Sequence, residues 1–141
     1  MKKLLILGHG RHGKDTMAEI LHEKFGMKFS ASSEAASDIF IFDTLKDKYG
    51  YKTSKECFED RSNHRKEWYD LICDYNKEDK TKLAEDILKM SDCYVGMRDL
   101  EEFLACKEKG LFDLIVWVDR SKELPLEIGG SFNIAMHHAH F

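Results

Sequence analysis

The sequence predicts an α/β protein built on a mostly parallel sheet with helices on both faces. Three observations predict it. Short apolar runs alternate with longer stretches whose apolar residues recur at helical spacing. The runs Leu4 to Leu7 and Leu114 to Val118 are apolar at consecutive positions, which suits strands buried on both faces. A glycine-rich turn, Gly8 to Gly13, separates the first run from the first helical stretch.

The elements follow in order. Leu4 to Leu7 is the first strand. Met17, Ile20, Leu21 and Phe25 mark a helix from Lys14 to Phe25, and Gly26 suits its end. Met27 to Ala31 is a short second strand. Ser32 or Ser33 can cap the next helix, with Glu34 in its first turn. Ile39, Ile41, Phe42 and Leu45 carry that helix to about Tyr49, and Gly50 to Thr53 breaks it. The stretch Ser54 to Glu67 is very polar. Trp68, Leu71, Ile72 and Tyr75 form a helical stripe, with Trp68 suited to the core and Tyr69 freer. A charged connection, Asn76 to Lys80, leads to a helix through Leu83, Ile87 and Leu88. Cys93 to Met97 is a third strand. Leu100, Phe103 and Leu104 mark a helix ended by Gly110, and Leu114 to Val118 is the last clear strand. Pro125, Gly129 and Gly130 mark a loop in the tail, and Ser131 to Met136 suits a short strand.

At 141 residues with 43% hydrophobic content, the chain suits one domain with a real core. A net charge of -4 argues against broad nucleic-acid binding. Cys57, Cys73, Cys93 and Cys106 form no CxxC pair and read as reduced thiols of a cytoplasmic protein. Met1-Lys2-Lys3 and the run after it mimic a signal peptide, but the run stops at Gly8. No stretch approaches membrane-spanning length, so no membrane partner is expected.

Gly8, Gly13 and Lys14 fit the phosphate-loop pattern G-x-x-x-x-G-K between a strand and a helix. Glycines let the backbone curl so that successive N–H groups, from Gly8, His9, Gly10, Arg11, His12 and Gly13, point at one phosphate. The helix aims its positive end at the same anion, and Lys14 adds a point charge for the β- and γ-phosphates. The pattern wants Ser or Thr after the Lys, to hold Mg²⁺. Here Asp15 stands there and Thr16 follows, so either Asp15, through water, or the Thr16 hydroxyl is the metal-binding group. His9 and His12 either touch phosphate or fill variable loop positions. Arg11 suits the γ-phosphate or the acceptor.

Gly-Lys-Asp-Thr after a strand, Val95-Gly96-Met97-Arg98-Asp99-Leu100-Glu101-Glu102, and Val116-Trp117-Val118-Asp119-Arg120 resemble the phage-type deoxynucleoside monophosphate kinases. These are P-loop kinases related to adenylate kinase; P-loop phosphomevalonate kinases carry a similar Gly-Lys-Asp loop. The resemblance runs from Met1 to about Glu127. It implies a P-loop NTPase-type three-layer α/β/α sandwich as a single domain over residues 1–141. A helical acceptor-binding insertion falls at about 45–80 and a short lid at about 120–130. It implies ATP and Mg²⁺ as cofactors and a deoxynucleoside monophosphate as acceptor, in the cytoplasm, or the host cytoplasm if phage-encoded. A homodimer is compatible with it. The family's loop residues match Gly8, Gly13, Lys14, Asp15 and Thr16. Its arginine after the third core strand matches Arg98, followed by Glu101 or Glu102, and its next one matches Arg120. Lys14, Arg98 and Arg120 are then the catalytic residues.

Arg61 and Arg65 lie four apart, on one face if helical, and with Lys66 could clamp the acceptor phosphate. The opposing reading is a solvated charged face beside Glu59, Asp60 and Glu67. Tyr69 could stack the base. Asp119 reads equally as a metal-organising acid or as the residue before a lid arginine. His137, His138 and His140 lack a convincing fourth ligand and read as an ordinary tail. Gly96 stands where the family has an acidic residue. Two alternatives therefore stay open: a P-loop kinase acting on another small-molecule or DNA-base acceptor, and a nucleotide-binding module that has lost catalysis.

Overall fold

The computed structural model describes residues 2–9, 12–119, 122 and 134. Its framework is a four-stranded, all-parallel sheet in the order β2-β3-β1-β4, with β1 at Leu4–Leu7, β2 at Phe29–Ala31, β3 at Cys93–Val95 and β4 at Leu114–Trp117. Leu4 pairs with Cys93 on one side and Leu114 on the other, so β1 is flanked on both edges. All four β1 residues are buried, as the unbroken apolar run requires.

Alternation along the strands sorts the core into two layers. Leu4, Ile6, Cys93 and Val95 pack with Ala18, Met17 and Leu21 of α1, Lys14–Phe25. Leu5, Leu7 and Tyr94 face the opposite side. There they meet Trp68 of α5 (Arg65–Tyr75), Leu83 and Ile87 of α6 (Lys82–Met90), and Phe103 and Cys106 of α7 (Leu100–Glu108). Helices on both faces make the chain compatible with a three-layer α/β/α arrangement. They also define a crevice. β1 and β3 are neighbours, yet β1 leads into α1 on one face and β3 into α7 on the other. Adjacent strands whose carboxyl ends diverge in this way open a binding crevice in parallel sheets.

Several expectations shift by local physics. The helix expected from Ser32 or Ser33 to Tyr49 is α2 (Ser32–Ala36), a wide π turn (Ser37–Ile41) and α3 (Phe42–Tyr49). Ser37 is buried at the wide turn and its Oγ donates to the Ser54 carbonyl at 2.9 Å. Neither Ser32 nor Ser33 caps α2. Ala31 is its N-cap, and the Ser32 Oγ reaches the Gly96 carbonyl at 3.4 Å instead. Within α1 only Ala18 is fully buried, whereas Ile20 and Phe25 are exposed. In α7 the inner face is Glu102, Phe103 and Cys106, while Leu104 points outward.

The polar stretch between α3 and α5 is largely helical. α4 covers Ser54–Glu59, and Thr53 caps it by accepting from the Glu56 N–H at 3.1 Å. A single 3₁₀ turn spans Arg61–Asn63 before α5 begins at Arg65. Asp60 ties this turn down. It accepts from Tyr51 Oη at 2.6 Å, from Asn63 Nδ2 at 2.5 Å, and lies 3.1 Å from His64 Nε2. Bonding from Tyr51, then Asn63, holds its carboxyl below the ordinary carboxylate range. No helix among the described residues is long and apolar enough to cross a membrane. All of the expected strand from Ser131 to Met136 but Ile134, the histidines at 137, 138 and 140, and all of the short lid but Lys122 lie outside the described residues; Ile134 is buried in the core.

Candidate functional site

The glycine-rich turn leaves the carboxyl end of β1. Gly8 has φ +154°, and a Cβ there would sit 2.5 Å from the Val118 carbonyl oxygen beyond β4. No side chain fits between the turn and that strand. Gly13 is the left-handed N-cap of α1, at φ 99°, and no side chain caps the helix. Lys14 folds back over the turn and donates from Nζ to the Gly8 carbonyl at 2.8 Å and the His9 carbonyl at 3.1 Å. Asp15 and Thr16 are exposed in the first turn of α1.

The two described histidines of the turn pack. His12 is fully buried, with Nδ1 3.9 Å from Asp119 Oδ1 and its ring 5.6 Å from that of His9. His9 in turn lies edge-on to Trp117. The His12 N–H donates to the His9 carbonyl at 3.2 Å. His12 therefore shapes the turn from within, and Asp119 buttresses it. Gly10, Arg11 and Arg120 lie outside the described residues.

Beside the carboxyl end of β3 opens a cleft of about 1150 Å³, large enough for a nucleotide. Arg61, Arg65, Tyr69 and Arg98 all line it. The four-residue spacing puts Arg61 and Arg65 on one face if the stretch is helical. The structure puts them in different elements, the 3₁₀ turn and the first position of α5, and still brings both to one cavity. Arg61 donates to the Phe58 carbonyl at 2.9 Å with its guanidinium 4.0 Å from the Phe58 ring. Arg65 and Lys66 open α5, where cations oppose the helix dipole at a cost of roughly 0.3–1 kcal/mol each. Lys66 offsets its share by pairing with Asp70 at 2.7 Å. Tyr69 is 47% exposed, while Trp68 is buried with its Nε1 lacking a hydrogen-bond partner among the described residues.

The cavity is polarised. Arg61, Arg65 and Arg98 are exposed at its rim. Its floor holds Tyr94, Leu83, Asn76 and Glu102, all buried. Glu102 was legible only as an acid following Arg98, and its place on the floor was missed. Its Oε2 accepts from Asn76 Nδ2 at 2.8 Å and its Oε1 from Tyr94 Oη at 3.2 Å. Burial pushes its carboxyl up to about 7, against these two bonds. One sequence signal pointed there: Glu102 stands four residues before Cys106, on the same inner face of α7.

No protein-family model matches the chain, and no curated protein is similar to it beyond chance. The site therefore stands on its own chemistry. A cationic rim suits an anion, an aromatic and apolar wall suits a flat ring, and a buried carboxylate suits N–H donors. Among the described residues no group of three or more His, Cys, Asp or Glu side chains is gathered for a metal. Magnesium held by one or two protein oxygens together with phosphates needs no such group.

Proposed function

We propose that the protein is an ATP-dependent kinase of the P-loop type that phosphorylates a deoxynucleoside monophosphate. Support comes chiefly from one juxtaposition. A G-x-x-x-x-G-K turn leaves β1, and the adjoining strand β3 ends at a nucleotide-sized cavity rimmed by arginines.

The residues present fit ATP and Mg²⁺. Gly13 leaves the N-terminal end of α1 without a side-chain cap, and the Lys14 ammonium already lies against the turn. In the first turn of α1, either Asp15, through water, or the Thr16 hydroxyl would supply the hard oxygen that Mg²⁺ takes. When bound, ATP with Mg²⁺ supplies the transferable phosphoryl group and neutralises part of its charge. The chain does the rest by positioning. Backbone N–H groups of the turn and Lys14 hold the donor phosphates. Arg61 and Arg65 grip the acceptor phosphate, which is already anionic and needs no general base. Arg98, and Arg120 by the resemblance, meet the charge that develops between donor and acceptor. The resemblance places such an enzyme in the cytoplasm.

The test is a screen of the four natural deoxynucleoside monophosphates with ATP and Mg²⁺, read as diphosphate formed. Production of at least one diphosphate, dependent on Mg²⁺, is expected. Binding of ATP without transfer to any of the four would remove the monophosphate reading.

A further inference from the structure

Taking that monophosphate reading as its basis, we propose that Glu102 reads the acceptor's base and selects guanine through the two adjacent N–H donors of its Watson–Crick edge.

The placement of the groups carries this. A nucleoside monophosphate has an anionic end and a flat ring with a hydrogen-bonding edge. The cavity has exposed arginines at its rim and a buried carboxylate on its floor, so the phosphate stays at the mouth and the base goes inward. The carboxylate is held rigidly. The Asn76 Oδ1 accepts the Leu83 N–H at 3.0 Å, which fixes the amide so that Nδ2 faces Glu102. Tyr94 holds the other oxygen from β3. Each oxygen keeps one acceptor position, and two parallel donors match that pair. Guanine offers such donors at N1 and N2. Adenine and cytosine put an acceptor beside their donor, and thymine flanks its single N–H with carbonyls.

The surroundings leave the charge for a ligand to stabilise. Asn76 at the end of α5 is neutral, as is Tyr94, whose hydroxyl burial pushes well up. From the connection before α6, Lys80 pairs with Glu101 at 3.5 Å. Within α7 and its cap lie Asp99, a second anion that accepts the Glu102 N–H at 3.0 Å, and the buried Cys106. Burial, with Asp99 behind it, outweighs the bonds from Tyr94 and Asn76 and the smaller help from Lys80, and pushes the carboxyl up to about 7. Two N–H donors would stabilise the ionised form, so guanine binding expels a proton and strengthens as pH rises from 6 to 8.

Equilibrium dialysis of the full chain with dGMP, dAMP, dCMP and dTMP at pH 6 and pH 8 tests this without relying on turnover. The phosphate's own second ionisation, near pH 6, affects all four and drops out of their ratios. At pH 8, dGMP should bind about 10- to 100-fold tighter than dAMP, and that ratio should shrink at pH 6. Glu102→Gln should still bind all four but lose both the ratio and its pH dependence. If all four bind wild-type protein alike, or the variant keeps the guanine preference, the proposal is overturned while the monophosphate reading stands. If ATP binds and no monophosphate does, the acceptor reading fails and takes this proposal with it.

Discussion

Replacing Glu102 by Gln should stabilise the protein at pH 8 and do so far less at pH 5. The ordinary carboxyl value is 4.5, and burial pushes it up to about 7 in the fold. Between those values the folded state keeps a proton that the unfolded chain has released. Stability therefore falls as pH rises through this window, and the full cost is present above pH 7. Its size is about 3.5 kcal/mol, from roughly 1.4 kcal/mol for each pH unit of the window. Glu102 is only 6% exposed, so solvent screening removes little of it. The amide of Gln has the same shape, still accepts from Asn76 Nδ2 and can donate to Tyr94 Oη, but carries no charge to bury. Urea unfolding at pH 5 and pH 8 measures the difference. With a slope of roughly 1–3 kcal/mol/M, the pH 8 midpoint of the variant should exceed that of wild type by about 1–3 M. An equal offset at both pH values would show that Glu102 titrates as it does in water, and the dry cavity floor would be wrong. A residue kept at such a cost marks function more often than stability.

Gly8→Ala should destabilise the protein by about 2–4 kcal/mol, from the strained backbone and the clash with the Val118 carbonyl. Gly26→Ala, with φ +69° and open space around it, is the control in the same urea assay and should cost less. Arg65→Ala should raise KM for the monophosphate several-fold and leave KM for ATP unchanged, because a clamp acts in ground and transition states alike. Steady-state kinetics with each substrate varied reads this, and an effect on ATP alone would move the acceptor site elsewhere. Asp15→Ala and Thr16→Ala, made separately, should show by Mg²⁺ titration of ATP binding which side chain serves the metal. Unchanged Mg²⁺ dependence in both would remove this pair from the metal site.

The framework was legible because it rests on short-range patterns. The buried run Leu4 to Leu7, the αL stop at Gly26 and the contrast between buried Trp68 and exposed Tyr69 follow from hydrophobicity and backbone preference at neighbouring positions. What was missed depends on contacts distant in sequence. The wide turn at Ser37 answers Ser54, 17 residues on. Local chemistry favours Ser32 or Ser33 as a cap, but Ser32 lies beside Gly96, 64 residues away. Arg61 and Arg65 reach one cavity through a turn that Asp60 organises, rather than through helical spacing. Glu102 looks like one more acid at a helix start. Only the joining of β3, the end of α5 and α7 gives it a dry environment and two fixed donors.

The most direct measurement compares phosphoryl transfer by the wild-type protein and by Lys14→Ala, with circular dichroism to confirm that both are folded. Lys14 lies in the opening turn of α1 with its ammonium over the Gly8 and His9 carbonyls, so its removal takes a charge from the turn and no side chain from the core. The lost contact should reduce transfer to the monophosphate by about 2–3 kcal/mol of transition-state stabilisation, or roughly 30- to 150-fold. A folded Lys14→Ala protein that turns over at the wild-type rate would contradict the assignment of Gly8 to Thr16 as the donor phosphate site.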